Sequence, residues 1–269
     1  MLKTTFNDEE IERYARHIIL KQVEQEGQLK LLNSKVLIVG AGGLGSPAAL
    51  YLAAAGVGTI GIADGDKVDL SNLQRQVIHT TNDIGTLKTA SAKKTMQEIN
   101  PNIKVITYDE YLNASNILDI VKQYDFIIDG CDNFETKFLI NDACVLAKKA
   151  YSYGGILQFI AQTMTIVPNE SGCYACVFDS PPPKEHVPTC ASAGVLGSIA
   201  GLLGSIQATE AIKYITGAGK LLTNELLIID AANMDFDKVK FIKNENCRVC
   251  GEHGIKHLSD YEQTTCEGI

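Results

Sequence analysis

Three groups of residues in this chain have the types and spacing to do chemistry. Gly40, Gly42 and Gly45 stand in the G-x-G-x-x-G spacing within Lys35-Val-Leu-Ile-Val-Gly-Ala-Gly-Gly-Leu-Gly-Ser46. Such glycines allow a tight turn, close backbone approach to a phosphate and tight helix-to-strand packing, and the helix that follows presents free N–H groups to an anion. Asp64 closes the next apolar run, roughly where the ribose-binding acid of a dinucleotide fold lies. By itself this corner says nucleotide, and its commonest meaning is a dehydrogenase.

The second group is a matched pair, Cys173-Tyr-Ala-Cys176 and Cys247-Arg-Val-Cys250. Four thiolates can surround one tetrahedral zinc ion, each C-x-x-C spanning an edge. The interval between Cys176 and Cys247 is longer than in a zinc ribbon, so the metal would clip the C-terminal part back onto a distant loop. Four buried free cysteines and a redox pair are the alternatives, and His186 and His253 are spare ligands. A four-thiolate site has no open position, so it carries no catalysis. Cys190 stands apart, at the end of a proline-rich loop and just before a long helix. A helix N-terminus raises the thiolate fraction and suits an acyl or persulfide carrier, whereas a small residue packed at a helix start is the plainer reading. Cys131, Cys144 and Cys266 lack such a context.

The third group is polar and lies in connections. The segment 65–81 is long for a β-to-α loop, and loops of that length are usually functional; it holds Asp66, Asp69, Asn72, Arg75, Gln76 and His79. Lys88 falls in the first turn of the next helix, against the helix dipole, which suggests a task, with a solvated lysine as the alternative. Asp132 and Asn133 follow a strand at 125–129, along the crevice where open α/β sheets bind ligands, although Asp132 could equally cap the next helix. Arg13 and Arg16 share a face of the N-terminal helix, where solvated charge is ordinary.

To position these groups the pattern predicts helices at 7–20, 46–56, 87–100, 115–122, 134–148 and 193–216. Strands are expected at 36–39, 59–63, 104–108 and 125–129, then at 151–154, 163–167, 226–230 and 238–242. The fold class is therefore α/β: a Rossmann-like, mostly parallel sheet with helices on both faces, added antiparallel C-terminal strands and a structural zinc clip. With 269 residues and 45% apolar content we expect one domain over 1–269 with a nucleotide-binding core at 7–168, a second part at 169–253 and a tail at 254–269. A net charge of −8 without clustered Lys and Arg argues against nucleic acid as a partner. No signal-peptide pattern opens the chain, and the most apolar run, 194–206, is broken by Gly and Ser, so a cytoplasmic protein off the membrane is expected. Eight cysteines in a reducing compartment point to metal or catalysis rather than disulfides.

Gly40-Ala-Gly-Gly-Leu-Gly-Ser46, Asp64, Ser71-Asn-Leu-Gln-Arg-Gln76, Lys88, Cys131-Asp-Asn133, the paired C-x-x-C and Thr189-Cys190-Ala-Ser-Ala-Gly-Val195 are read together with the opening Arg13-Tyr-Ala-Arg16-His-Ile-Ile-Leu20. They resemble the ThiF/MoeB/HesA family of ubiquitin-activating-like enzymes over residues 7–253. The resemblance implies that the C-terminal glycine carboxylate of a small ubiquitin-fold sulfur carrier, ending in Gly-Gly, attacks the α-phosphate of ATP to give an acyl-adenylate and pyrophosphate. It implies a nucleotide site of Gly40, Gly42, Gly43, Asp64, Asn72, Arg75, Gln76, Lys88, Asp132 and Asn133. In it Asp64 accepts from the ribose, Arg75 and Lys88 neutralise phosphate charge, Asn72 helps orient the phosphates and Asp132 holds Mg2+. Arg16 would reach the ATP of the other subunit of a homodimer, and residues 169–253 would include the carrier-binding part. ThiF-like members, serving thiazole synthesis, use the cysteine matching Cys190 in a persulfide-linked intermediate; in MoeB-like members, serving molybdopterin, it is dispensable. No rhodanese-like sequence follows residue 250, so sulfur is expected from a separate sulfurtransferase. A dehydrogenase would leave Asn72, Arg75, Lys88 and Asp132 without joint purpose. A dehydratase acting on a tRNA threonylcarbamoyladenosine base is opposed by the acidic balance and the cysteine pairs, and a non-catalytic partner subunit would be expected to lose Arg75, Lys88 or Asp132.

Overall fold

The computed structural model describes residues 2–183 and 193–262; Cys190, His186 and Cys266 lie outside the described residues. The chain is built on β1 (Lys35–Val39), whose side chains alternate between two cores. Leu37 and Val39 face one, and Val36 and Ile38 the other. A strand buried on both faces must be central, and β1 lies between β2 (Thr59–Ala63) and β4 (Phe126–Asp129), parallel to both. The full order is β3-β2-β1-β4-β5-β6-β7-β8. β3 (Lys104–Tyr108) and β5 (Ala150–Leu157) continue the parallel part. β6 (Ile160–Ile166), β7 (Glu225–Asp230) and β8 (Asp235–Lys240) add antiparallel strands on the far side. The expected mixed sheet is observed, with its last strand at Asp235–Lys240 rather than at 238–242.

α5 (Ile117–Val121) and α6 (Phe134–Ala147) cover the Leu37 face, while α3 (Gly45–Ala55), α4 (Lys88–Ile99) and α8 (Gly197–Thr216) cover the Val36 face. A short helix, α7 (Tyr174–Val177), follows Cys173. α1 (Asp8–Ile18) opens with a capping box in which Asn7 accepts from the Glu10 N–H and Glu10 reaches back to Asn7.

Three features depart from the sequence pattern. α2 (Glu24–Asn33) has good helix formers but no apolar stripe, and its buried residues are Gly27, Gln28 and Leu31. It is anchored by Leu31 in the core and by a polar contact, the buried Gln28 amide donating to the Ala55 carbonyl at 2.9 Å. The β5–β6 hairpin runs on to Leu157 and back from Ile160, well past the apolar segments, with Gly155 pairing with Gln162. β8 is fully exposed and carries no core signal; its register comes from β7, with Asp235 opposite Asp230.

Candidate functional site

Strand register decides where the chemical residues meet. Val39 sits opposite Ala63 on one side and Asp129 on the other, so β1, β2 and β4 end level. Gly40, Asp64 and Gly130 therefore emerge side by side. Gly40 takes φ +95°, and a Cβ there would lie 2.7 Å from the Gly130 carbonyl oxygen. Gly45 lies closer still to its neighbour: a Cβ would stand 1.8 Å from the Gly40 carbonyl oxygen. The glycine corner is thus folded onto itself and onto the turn after β4, and only hydrogen fits at both places.

Around this corner the polar residues are tied to one another. Asp64 accepts from the Ala41 N–H at 2.8 Å with one oxygen and from the Asp66 N–H at 2.8 Å with the other. Burial pushes its carboxyl above the usual range, against the pull of the Lys88 charge. Lys88 is buried and pairs with Asp66 at 2.8 Å, while the Tyr111 hydroxyl donates to the other Asp66 oxygen. Asp66, although desolvated, is held below the usual range by these hydrogen bonds, and the same carboxylate pushes Tyr111 up to about 12. His79 is buried between Ser91 and the glycine corner, with Nδ1 2.8 Å from the Ser91 hydroxyl and Nε2 2.9 Å from the Ala41 carbonyl. Burial lowers its pKa and favours the neutral ring, and in that ring the Ala41 carbonyl assigns the proton to Nε2. Arg75 donates to the Ser71 carbonyl at 3.0 Å. Gln76 is buried with its carbonyl oxygen unpartnered among the described residues.

Opposite stands the turn after β4. Asn133, not Asp132, caps α6, accepting from the Thr136 N–H at 2.8 Å. Asp132 is thereby left to face the cavity. Behind it lies the buried pair Lys137–Asp129, at 3.1 and 3.2 Å. Burial alone would pull Lys137 down; the adjoining Asp129 charge holds it above the ordinary lysine value. The enclosed space is about 780 Å³. Gly40, Gly42, Gly43, Asp64, Arg75, Gln76, Lys88, Asp132 and Asn133 all reach its wall. Its wall also includes Tyr153, Gly155, Ile156, Tyr174, Phe178 and Val195. Asn72 is not on this wall: its side-chain oxygen accepts from the Asp69 N–H at 3.1 Å and closes a 3₁₀ turn at Leu70–Asn72. Arg16 is exposed on α1, also away from the wall.

The second centre is the cysteine cluster. The Sγ atoms of Cys173, Cys176, Cys247 and Cys250 all lie within 4.8 Å of one another. Their closest separations are 3.6 Å for Cys173 to Cys247, 3.9 Å for Cys173 to Cys176 and 3.5 Å for Cys176 to Cys250. A tetrahedron with zinc–sulfur bonds of about 2.3 Å has edges of about 3.8 Å, so the donor set fits zinc. The Asn244 N–H points at Cys176 and the Val249 N–H at Cys247, each at 3.4 Å, as suits thiolate acceptors. His253 is exposed and outside the cluster, so no spare ligand is required.

The model of the ThiF family matches residues 14–249. The chain belongs to the ThiF family. Among curated relatives, the sulfur carrier protein adenylyltransferase of Thermus thermophilus is 44% identical over 260 residues, covering 94% of this chain and 96% of that protein. The SAMP-activating enzyme E1 of Haloferax volcanii is 43% identical over 253 residues, covering 94% and 93%. The adenylyltransferase and sulfurtransferase MOCS3 of Culex quinquefasciatus is 46% identical over 263 residues, and there the match takes 97% of this chain but 60% of the relative. Among solved structures, E. coli MccB with AMPCPP and MccA has a TM-score of 0.79 at 26% identity, covering 93% of this chain and 76% of that one.

For this ThiF-family chain, sequence motifs pointed to the glycine corner, Arg75, Lys88 and the Asp132 turn, but not to what holds them. Asp129 and Lys137 were missed; the one available signal was a lysine beside the apolar run Phe138-Leu-Ile140. Tyr111 gave no signal, since it is an exposed aromatic on a loop. No helix among the described residues is long and apolar enough to cross a membrane.

Proposed function

We propose that this chain adenylylates the C-terminal carboxylate of a small ubiquitin-fold sulfur carrier ending in Gly-Gly, using ATP. The observation that carries the reading is the lining of one cavity. A glycine corner flanked by Arg75, Lys88 and Asp132 shares that wall with Gly155 and with the apolar residues Ile156, Tyr174 and Phe178. The first set suits a nucleoside triphosphate and the second an extended tail without side chains. The name of the Thermus thermophilus relative, matched along nearly its whole length, supports the same substrate class.

In this reading a carboxylate oxygen of the terminal glycine attacks the α-phosphorus. The bond from that phosphorus to the bridging oxygen breaks, pyrophosphate leaves with the electron pair, and an acyl-adenylate remains. Asp64 accepts from the ribose hydroxyls. Gly42 and Gly43 let the backbone approach the phosphates, with Gly40, Gln76 and Asn133 completing the nucleotide site. Arg75 and Lys88 meet the charge that develops on the phosphates, and Asn72, by bracing the loop that carries Arg75, orients that cation. Asp132, uncommitted to capping, suits Mg2+, which takes few protein carboxylates together with substrate phosphates. When bound, that ion supplies further neutralisation of phosphate charge. Arg16, exposed on α1, is assigned to the ATP of a second copy in a homodimer, and Cys190 to the fate of the activated carrier. The sulfur that displaces AMP comes from a separate sulfurtransferase, and the thiocarboxylate feeds thiazole or molybdopterin synthesis. Zinc at the four cysteines is structural and fixes α7, which bears Tyr174 of the cavity wall.

The test is ATP–pyrophosphate exchange with ubiquitin-fold proteins of the source organism. Exchange should appear only with a carrier ending in Gly-Gly, and Asp132→Ala should lower it by about a hundredfold or more. Absence of exchange with every such carrier overturns the reading, and a near-normal rate in the variant removes Asp132 from the site.

A further inference from the structure

Lys137 has three acceptors that do not belong to one another by sequence. Its ammonium donates to the Asp129 carboxylate, to the Cys131 carbonyl at 2.8 Å and to the Gly154 carbonyl at 2.5 Å. It also lies 5.2 Å from the centre of the Tyr153 ring. The side chain is 6% exposed and Asp129 1%, so this is a full charge pair taken out of water, which is stabilising only when further hydrogen bonds complete it. Its three protons are all used. A hydrophobic residue would fill the same volume at less desolvation cost, so what the ammonium adds is geometric: it joins the end of β4, the turn that follows and β5 at one point. Gln207 repeats the connection from the other side of the sheet, donating to the Asp129 carbonyl at 2.8 Å and the Ser152 carbonyl at 3.1 Å. The turn fixed in this way holds Asp132, one residue after the bonded Cys131 carbonyl.

We propose that Lys137 is a positioning residue for the nucleotide-bound metal: through the Cys131 and Gly154 carbonyls it holds the Asp132 turn at a fixed distance from β5, across the cavity floor. This deepens the adenylylation reading and rests on its assignment of Asp132 to Mg2+. A group that orients a ligand residue governs metal affinity more than it governs nucleotide contacts made elsewhere. Loss of Lys137 should therefore weaken the enhancement of ATP binding by Mg2+ and leave metal-free ATP binding nearly unchanged.

The experiment is calorimetric titration of the full chain with ATP, with and without Mg2+ and without any carrier. Lys137→Met alone strands the buried Asp129 charge and risks the fold, so the variant to use is the double substitution Asp129→Asn with Lys137→Met, which removes both charges. It should reduce the Mg2+ enhancement by about tenfold or more. Lys137→Arg keeps the charge and the pair, and with them the fold, but a planar guanidinium cannot place one nitrogen on all three acceptors; it should reduce the enhancement by about threefold or more. A folded variant of either kind with wild-type enhancement overturns the proposal and leaves Lys137 as part of a structural ion pair. Wild-type protein that binds ATP no better with Mg2+ would instead sink the metal reading, and that outcome is seen before any variant is made.

Discussion

Two glycines of one motif should fail in opposite ways. A Cβ on Gly45 would stand 1.8 Å from the Gly40 carbonyl oxygen and 3.3 Å from Ile38 Cγ2, both in the packed interior. Ordinary contact requires the two backbone segments to separate by about 1.6 Å, in a place where even a Cβ on Gly130 would come within 3.1 Å of that carbonyl oxygen. Overpacking of this kind costs about 1–3 kcal/mol or more, offset by only about 0.5–1 kcal/mol from replacing a helical glycine with alanine. Gly45→Ala should thus destabilise by about 2 kcal/mol, a fall of about 4–8 °C in Tm for a chain of this size. A Cβ on Gly42 meets nothing nearer than 3.8 Å, the Gln76 side-chain nitrogen, and Gly42 is on the cavity wall. Gly42→Ala should leave Tm within about 2 °C while weakening ATP binding by about tenfold, because its methyl would occupy the space that the proposed function gives to phosphate. Thermal melts followed by circular dichroism, paired with ATP titration of the folded variants, read both effects. Equal loss of stability in the two, or wild-type ATP affinity in Gly42→Ala, would refute the division of labour between them.

Two further outcomes are expected. Elemental analysis should find one zinc per chain. Cys250→Ser should release it and lower stability by about 3 kcal/mol or more, since metal binding at such sites is folding energy; a metal-free protein with wild-type Tm contradicts the clip. ATP affinity should decline on acidification earlier than an ordinary carboxylate would allow. Burial raises the Asp64 pKa, so its acceptor form is lost at a higher pH than usual, and Asp64→Asn should flatten that part of the profile. An unchanged profile in that variant would show that Asp64 does not face the ribose.

Much of this site could be read from the chain because its signals are short-range. The spacing of Gly40, Gly42 and Gly45 encodes a turn whose geometry depends on a few adjacent residues, and a C-x-x-C encodes one edge of a tetrahedron. A continuous apolar run such as 36–39 announces a central strand for the same reason. The helix α2 and the extended β5–β6 hairpin escaped because neither carries the apolar periodicity that announces an element, and tertiary contacts place them instead.

What only the tertiary structure decided is whatever depends on partners far apart in sequence. Register between β1, β2 and β4 brings Gly40, Asp64 and Gly130 level, and no local pattern states that register. Asn133 rather than Asp132 caps α6, a choice between adjacent residues equally able to do so by type. The two cysteine pairs meet because the sheet and α7 carry Cys173 and Cys176 to Cys247 and Cys250. Lys137 finds its carbonyls only when β4, α6 and β5 are assembled. The chain alone determined which residues can do the chemistry, since side-chain type and near-neighbour spacing are written into it; their distances, burial and charge state arose when long-range packing excluded water from between them.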